Sequence, residues 1–296
     1  MAATTPVLSD PNLYRHRGAC FPTALITPEY IDSLEDFKIR VSDVFLATYP
    51  KSGTVWTQQI LSLIYSEEHR NESSNLFTSD RVPWIEFNIK NIDFESSPSP
   101  RLFATHLPYS LVPKDLRNKI GKVIYVIRNP KDVMNSLYHF EPVLKHIQKS
   151  PSFEYLMEKM LKGDVFPNSW FDHVRGWYAN RNDFNILFLK YEDMVMDLRS
   201  TVVQICKFLG KELDDKSLDA VVKRATFKNM KTDPLANKEN DSNNYINKDK
   251  GSFMRKGTIG DWKNIMTVAQ SEKFDNIFEE KMKDVPLSFT WELPEK

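Results

Sequence analysis

The stretch Asp43-Val-Phe-Leu-Ala-Thr-Tyr-Pro-Lys-Ser-Gly-Thr54 decides the fold class of this chain. Asp43 to Tyr49 is a short apolar run, rich in β-branched and aromatic residues, that ends at Pro50. Such a run is typical of a buried strand. Lys51-Ser-Gly-Thr54 then leads into a periodic apolar stretch from Trp56 to Tyr65, which predicts a helix. The sequence therefore predicts a strand, a loop and a helix in succession.

The same arrangement recurs along the chain. Lys122-Val-Ile-Tyr-Val-Ile-Arg128 is a second strand pattern, and Asn129-Pro130 opens a helical stretch through Ser136 to Phe140. A third apolar run, Asn185 to Lys190, precedes a helix over Arg199 to Leu209 that Gly210 ends. Strands that alternate with helices predict an α/β fold with a central, mostly parallel sheet flanked by helices.

The predicted sheet also predicts where ligands bind. Open parallel sheets bind their ligands at the carboxyl ends of the strands. Lys51, Arg128 and Tyr191 all fall at such ends. We therefore expect these three side chains to share one site.

The composition limits the possible partners. The 296 residues include 40 basic and 40 acidic ones, so the net charge is zero and does not favour nucleic acid or an anionic membrane as a partner. No apolar run is long enough to span a bilayer, and Met1 to Asp10 lacks a signal-peptide pattern. We expect one cytosolic domain over residues 1–296. Cys20 and Cys206 predict neither a disulfide framework nor a metal site.

The C-terminal third contains a long polar stretch. Residues 232–257 are too many for an ordinary connection within a compact domain, and such segments are functional lids or disordered. We interpret this stretch as a lid over the nucleotide and acceptor sites, because Arg255-Lys-Gly257 at its end is suited to clamp an anion. Thr267 to Lys283 predicts an amphipathic helix.

The loop Tyr49-Pro-Lys-Ser-Gly-Thr54 has the features of a phosphate cradle. Backbone N–H groups between a strand and a helix converge on an anion, and Lys51 adds a positive charge. The loop is not a Walker A motif, because its lysine precedes its only glycine. A nucleotide kinase is disfavoured, since it would need a Gly-rich loop and carboxylates that hold Mg²⁺.

Several motifs resemble those of the cytosolic sulfotransferases, in the same order along nearly the whole chain. Thr48-Tyr-Pro-Lys-Ser-Gly-Thr54 with Trp56 resembles that family's 5′-phosphosulfate loop. Tyr125-Val-Ile-Arg-Asn-Pro-Lys-Asp132 with Ser136 is similar to its 3′-phosphate segment. Phe253-Met-Arg-Lys-Gly257 followed by Gly260-Asp-Trp262 resembles its nucleotide signature. The resemblance implies a single α/β domain that transfers a sulfuryl group from 3′-phosphoadenosine 5′-phosphosulfate (PAPS), without a metal.

The resemblance assigns roles at the reaction centre. Lys51 would contact the bridge between phosphate and sulfate, and His106 in Ala104-Thr-His-Leu-Pro108 would deprotonate the acceptor. Histidine is the usual general base near neutral pH. The apolar run from Arg101 to Ala104 places His106 at the end of a strand.

The remaining donor contacts implied by the resemblance form three groups. The 5′-phosphate would be held by Ser52, Gly53 and Thr54, with Val55 beside them. The 3′-phosphate would be held by Arg128, Ser136, Arg255 and Lys256, next to Phe253, Met254 and Gly257. Adenine would lie between Trp56 and Phe227, with Tyr191 and the segment Ala225, Thr226, Phe227, Lys228, Asn229 and Met230 around the nucleotide.

The chain departs from the family pattern at two positions. Most relatives carry Thr where Val55 stands, and the lost hydroxyl should weaken donor binding by about 1 kcal/mol. Many relatives carry Lys where Ala104 stands. We expect this second change to slow catalysis or to enlarge the acceptor site.

The acceptor is left open by the sequence. By resemblance, Trp84, Phe87 and Phe140 line an apolar slot for aromatic or hydrophobic molecules. Phenols and alcohols, including steroids and xenobiotics, are the family norm, and amine-sulfonating relatives exist. Glu86 or Glu141 could attract a protonated amine, although glutamates are usually solvated.

One other function and an assembly also follow from the sequence. A noncatalytic PAPS-binding module would keep Lys51 and Arg128 but would not need His106. Lys263, Thr267, Val268 and Glu272 match the family's short dimerisation signature, so we expect a homodimer through a contact smaller than the roughly 1,200 Å² of most stable interfaces.

Overall fold

A four-stranded parallel sheet forms the centre of the computed structural model, which describes residues 8, 10–68, 76–145, 147–237 and 247–293. Its strand order is β4-β3-β5-β6, and all neighbours are parallel. A separate antiparallel hairpin, β1-β2, precedes it. The strands are β1 (Leu13–His16), β2 (Ala19–Pro22), β3 (Val44–Thr48), β4 (Leu102–Thr105), β5 (Lys122–Ile127) and β6 (Ile186–Lys190).

The helices confirm the predicted alternation, because a helix follows β3, β5 and β6. Asn129 caps the helix after β5, and Gly210 in the left-handed conformation ends the long helix after β6. The helices are α1 (Pro28–Ser33), α2 (Thr54–Glu68), α3 (Thr78–Arg81), α4 (Lys114–Arg117), α5 (Pro130–Phe140), α6 (Phe153–Lys162), α7 (Trp170–Ala179), α8 (Tyr191–Met196), α9 (Leu198–Leu209), α10 (Asp215–Arg224), α11 (Phe227–Thr232) and α12 (Val268–Met282).

The sheet is buried on both faces, which explains its continuous apolar strands. Successive side chains of a strand point to opposite faces. Phe45 therefore packs in one core cluster, with residues of α5, α6, α7 and α12. Val44 and Leu46 pack in another, with residues of α2, α9 and α10. The predicted α/β class with helices on both faces is confirmed.

The strand order determines which side chains meet at one edge of the sheet. His106 directly follows β4, the Lys51 loop follows β3, Arg128 follows β5 and Tyr191 follows β6. Because the strands are parallel, all four residues lie at the same edge. The site is described below from these residues outward.

Three other sequence predictions concern particular segments. Residues 238–246 of the predicted lid lie outside the described residues, whereas Asn247 donates to the Val143 carbonyl across 2.8 Å. Cys20 and Cys206 are buried thiols outside any disulfide. Within the described ranges, no helix combines the length and apolarity that crossing a bilayer requires.

Candidate functional site

The loop between β3 and α2 has an unusual backbone. Lys51 adopts φ +69° and Gly53 φ +99°, and a left-handed φ is uncommon for a residue with a side chain. A Cβ atom at Gly53 would lie 2.8 Å from Cδ2 of Tyr191. The Ser52 hydroxyl is buried and makes no hydrogen bond to a described residue. A helix N-terminus beside a lysine is suited to bind an anion.

His106 is held in one tautomer by β3. Its Nδ1 lies 2.8 Å from the Thr48 carbonyl oxygen and 3.2 Å from the Thr48 hydroxyl. A carbonyl oxygen only accepts, so Nδ1 carries the proton and the neutral ring has its lone pair on Nε2. The ring also packs on Trp84, with centroids 4.4 Å apart. This arrangement is what a general base requires.

The main chain of His106 is held from both sides by buried side chains. Its N–H donates to Oε1 of Glu86 across 2.6 Å. Its carbonyl accepts from Nε2 of His173, 3.1 Å away, and Nδ1 of His173 in turn accepts from the Tyr125 hydroxyl at 2.8 Å. Glu86 and His173 therefore position His106, although neither residue lines a cavity.

Burial shifts the pKa values of both holding residues. Burial raises the pKa of Glu86 to about 7, although the hydrogen bonds from His106 and Thr105 lower it. Burial lowers the pKa of His173 to about 4. The second oxygen of Glu86 is buried and makes no hydrogen bond to a described residue. Both side chains are therefore neutral over a wider pH range than they would be in water.

Glu86→Gln is expected to change how stability depends on pH. The folded protein binds the Glu86 proton more tightly than the unfolded chain does, so wild-type stability falls as the pH rises from the unfolded pKa near 4.5 to the folded pKa near 7. This loss, about 2–3 kcal/mol between pH 5 and pH 8, should be absent from the variant. Urea unfolding at both pH values measures it.

The difference between wild type and Glu86→Gln isolates the contribution of Glu86 to the pH dependence, because His173 titrates in both proteins. Glu95→Gln, at an exposed position, is the control and should follow the wild type. An identical pH dependence of wild type and Glu86→Gln would show that Glu86 is not buried with a raised pKa.

A cavity of about 190 Å³ lies against the Lys51 loop and combines cationic with aromatic residues. Trp56 and Phe227 are part of its wall, and Nε1 of Trp56 donates to the Ala225 carbonyl across 2.7 Å. Gly257 has φ +66°, and a Cβ atom there would overlap the Phe227 ring. The wall consists of Pro50, Lys51, Gly53, Thr54, Val55, Trp56, Trp84, His106, Arg128, Ser136, Tyr191, Phe227, Met230, Phe253, Met254, Arg255, Lys256, Gly257 and Thr258. We call this space the donor cavity.

Arg128 is anchored at the donor cavity by two carbonyl groups. It donates to the carbonyl oxygens of Lys51, at 3.0 Å, and Thr258, at 3.1 Å. Its guanidinium lies 4.1 Å from the centroid of the Tyr191 ring. The Nε–H is buried and has no partner among the described residues. A charged donor that is held in place but incompletely paired is suited to an anionic ligand.

Arg255 and Lys256 both pair with Asp261. Their nitrogens lie 2.6 and 2.5 Å from its carboxylate. Burial would raise the pKa of Asp261, but hydrogen bonds from Lys256, Asn264, Arg255 and Asn135 outweigh burial and hold it well below the usual range. Asp261 is thus a carboxylate that holds the two cations at the rim of the donor cavity.

A second cavity, of about 230 Å³, has a mostly apolar wall. It includes the three predicted acceptor residues Trp84, Phe87 and Phe140, together with Phe166 and Leu144. We call it the acceptor cavity. An apolar space with a few polar groups is typical of a site for a small organic molecule.

The two cavities share Pro50, Lys51, Trp84, His106 and Phe253. Nζ of Lys51 lies 3.4 Å from the centroid of the Phe140 ring and 4.9 Å from that of Phe253. A cationic group and a histidine therefore stand at the boundary between an anion-binding space and an apolar one.

Some predicted residues lie elsewhere. Ser52 and Ala225 are fully buried and, like Thr226, Lys228 and Asn229, are not part of the donor-cavity wall. Ala104 is fully buried within the sheet and lines neither cavity, and its expected effect, slower catalysis or a larger acceptor site, stays a prediction. Glu86 and Glu141 are buried rather than solvated.

The dimerisation signature lies at and just before the start of α12. Val268 is exposed to 75%, Thr267 caps the helix, and Lys263 pairs with Glu292. Sequence reasoning missed Thr48, Glu86, His173 and Asp261 as supports of the site. Of these, Thr48 and Asp261 had a signal, since they lie within the motifs Thr48-Tyr-Pro-Lys-Ser-Gly-Thr54 and Gly260-Asp-Trp262.

Comparisons with known proteins agree with one another. A family model described as a sulfotransferase domain matches residues 41–286. The amine sulfotransferase of Oryctolagus cuniculus is 54% identical over 283 residues, 95% of this chain and 94% of that protein. The 3-beta-hydroxysteroid sulfotransferase of Cavia porcellus is 40% identical over 293 residues, 96% and 99% of the two chains. The crystal structure of mouse sulfotransferase SULT7A1 complexed with PAP has a TM-score of 0.76 at 32% identity, covering 93% and 96%.

Proposed function

Because this chain belongs to the sulfotransferase family and is a sulfotransferase, we propose that it transfers the sulfuryl group of PAPS to a small hydrophobic or aromatic acceptor. His106 is the proposed general base, and Lys51 stabilises the departing phosphate. The observation that carries this proposal is the shared boundary of the two cavities at Lys51 and His106.

The residues of the donor cavity suit PAPS. Lys51, Arg128, Arg255 and Lys256 bring four cationic groups to its wall, and buried phosphate oxygens need such charge-assisted donors. The buried Nε of Arg128, without a partner among the described residues, is an unused donor that a 3′-phosphate would satisfy. Trp56 and Phe227 would hold adenine. The related mouse structure, a complex with PAP, supports the same nucleotide.

The side chains then divide the chemistry between them. Bound PAPS supplies a sulfuryl group whose S–O bond to the 5′-phosphate breaks as the bond to the acceptor forms. His106 takes the acceptor's O–H or N–H proton at Nε2, while the Thr48 carbonyl keeps the proton on Nδ1. Lys51 balances the charge that develops on the departing phosphate.

The acceptor is either an alcohol, including a phenol or a steroid, or an amine. We favour an amine, because the relative named amine sulfotransferase is 54% identical, against 40% for the relative named after hydroxysteroids. The apolar wall of the acceptor cavity supports a hydrophobic or aromatic body, as in xenobiotics and steroids.

Incubation of the purified protein with sulfur-labelled PAPS tests this function directly. The panel contains aryl amines, phenols, steroids and aliphatic alcohols. Labelled product in the presence of EDTA would support metal-independent sulfuryl transfer and would name the acceptor class. Tight PAP binding without product from any acceptor would instead support the noncatalytic PAPS-binding module.

We also propose a homodimer through Lys263, Thr267, Val268 and Glu272. The match of these residues to the family's dimerisation signature carries this proposal, and Val268, exposed to 75% at the start of α12, is accessible to a second copy. Sedimentation of wild type and Val268→Lys would test it, since a shared monomer mass would exclude this interface. The single domain over residues 1–296, its lid and the cytosolic location stay predictions.

A further inference from the structure

The acceptor cavity has a second polar part besides the reaction centre. Asp10 precedes β1, Glu141 follows α5 and Lys159 lies on α6, yet all three line the same cavity as His106. We call them the polar subsite. Their exposed fractions are only 1%, 3% and 5%. Three buried ionisable side chains in a mostly apolar wall need a physical explanation.

The two carboxylates of the polar subsite are hydrogen-bonded by the protein. Asp10 accepts from the backbone N–H groups of Asn12, at 2.9 Å, and Gln148, at 3.2 Å. Glu141 accepts from the backbone N–H and the hydroxyl of Ser150, at 2.8 and 3.0 Å. Each of the four carboxylate oxygens thus has a donor already. The carboxylates form a preorganised frame.

The ammonium group of Lys159 is different. Its Nζ lies 3.9 Å from Oδ2 of Asp10, which is beyond hydrogen-bond distance. It makes no hydrogen bond to any residue that the structure describes. A lysine ammonium has three N–H donors, and in a side chain exposed to only 5% these donors have little access to solvent. The unused hydrogen-bonding capacity of the polar subsite is therefore a set of donors.

This capacity determines the ligand chemistry. A cationic group would bring further donors against Lys159, whose charge would repel it. An anionic group would add a negative charge beside the carboxylates of Asp10 and Glu141. A neutral oxygen that accepts a hydrogen bond meets neither conflict.

We propose that the polar subsite binds a neutral oxygen function, a hydroxyl, ether or carbonyl, on the part of the acceptor that is not sulfonated. Lys159 donates the hydrogen bond, and Asp10 holds the ammonium in place. This inference rests on the proposed function and names an acceptor subclass: hydrophobic amines or alcohols that carry a second, oxygen-containing group.

The test compares acceptors that differ by one exchange of CH₂ for oxygen. The pairs are 6-methoxy-2-naphthol with 6-ethyl-2-naphthol, and 4-(2-methoxyethyl)aniline with 4-butylaniline. For each pair the ratio of kcat/KM, ether over alkyl, is measured. Because a hydrogen bond to a charged group contributes substantially to binding, Lys159→Met should lower this ratio about tenfold for at least one pair. Lys162→Met, at an exposed position of α6, should leave the ratio at its wild-type value.

Further measurements separate this proposal from folding and from the proposed function. Calorimetric titration of the wild-type complex with PAP should show tighter binding of the ether member, independently of turnover. Lys159→Gln keeps an uncharged NH₂ group with two N–H donors and should retain part of the preference. Equal ratios in wild type and Lys159→Met for both pairs would overturn the subsite alone. Absence of product from every acceptor would overturn the proposed function, whereas equal calorimetric affinity for both members of each pair would overturn the subsite.

Discussion

Replacing His106 by alanine should lower kcat for sulfuryl transfer by about 10²–10⁴-fold, the usual contribution of a general base. Its Nε2 carries the lone pair because the Thr48 carbonyl accepts from Nδ1, and alanine has no group to take the acceptor's proton. Turnover of labelled PAPS measures the loss. PAP affinity, measured by calorimetry, should change far less, since the donor cavity keeps its cationic residues.

The control for this prediction is His16→Ala. His16 lies in the β1-β2 hairpin, contacts Asp32 and lines neither cavity, so this variant should retain wild-type turnover. If His106→Ala kept kcat within about threefold of wild type, proton removal by His106 would be excluded. Loss of PAP binding together with turnover would instead assign His106 a structural role.

Replacing Arg128 by methionine should weaken PAP binding by about 10²-fold. It should also remove most of the protein's preference for PAP over adenosine 5′-phosphate. Hydrogen bonds to charged groups contribute about 1.5–3 kcal/mol each, and the planar guanidinium can bind a phosphate through two nitrogens. Calorimetric Kd values for both nucleotides measure the effect. Arg128→Lys keeps the charge but not the planar fork of the guanidinium, so its Kd for PAP should lie between those of wild type and Arg128→Met.

The ratio of the two Kd values separates recognition from structure. Arg128 also donates to the carbonyl groups of Lys51 and Thr258. Loss of these two hydrogen bonds would weaken the binding of both nucleotides equally. An unchanged ratio in Arg128→Met would thus contradict a role in 3′-phosphate recognition. Arg199→Met, on an exposed side chain that pairs with Asp215, is the control for the loss of an arginine.

Much of the fold could be predicted because its signals are local. The β3 strand, the Lys51 loop and α2 are adjacent in sequence, and Gly210 ends α9 by its own backbone conformation. The β1-β2 hairpin was not predicted, although its two-residue connection Arg17-Gly18 has positive φ at both positions, as in a type I′ turn. Its strands are only four residues each, too short for a clear periodic signal.

The sequence by itself determined the α/β class and the group of residues at the strand ends, because periodicity and turn chemistry act over neighbouring residues. Only the tertiary structure decided which groups hold them. His106 meets Thr48 across 58 positions, Glu86 across 20 and His173 across 67. The polar subsite likewise joins Asp10 to Lys159, far apart in the chain. Such pairings depend on how strands and helices pack, and no local pattern encodes them.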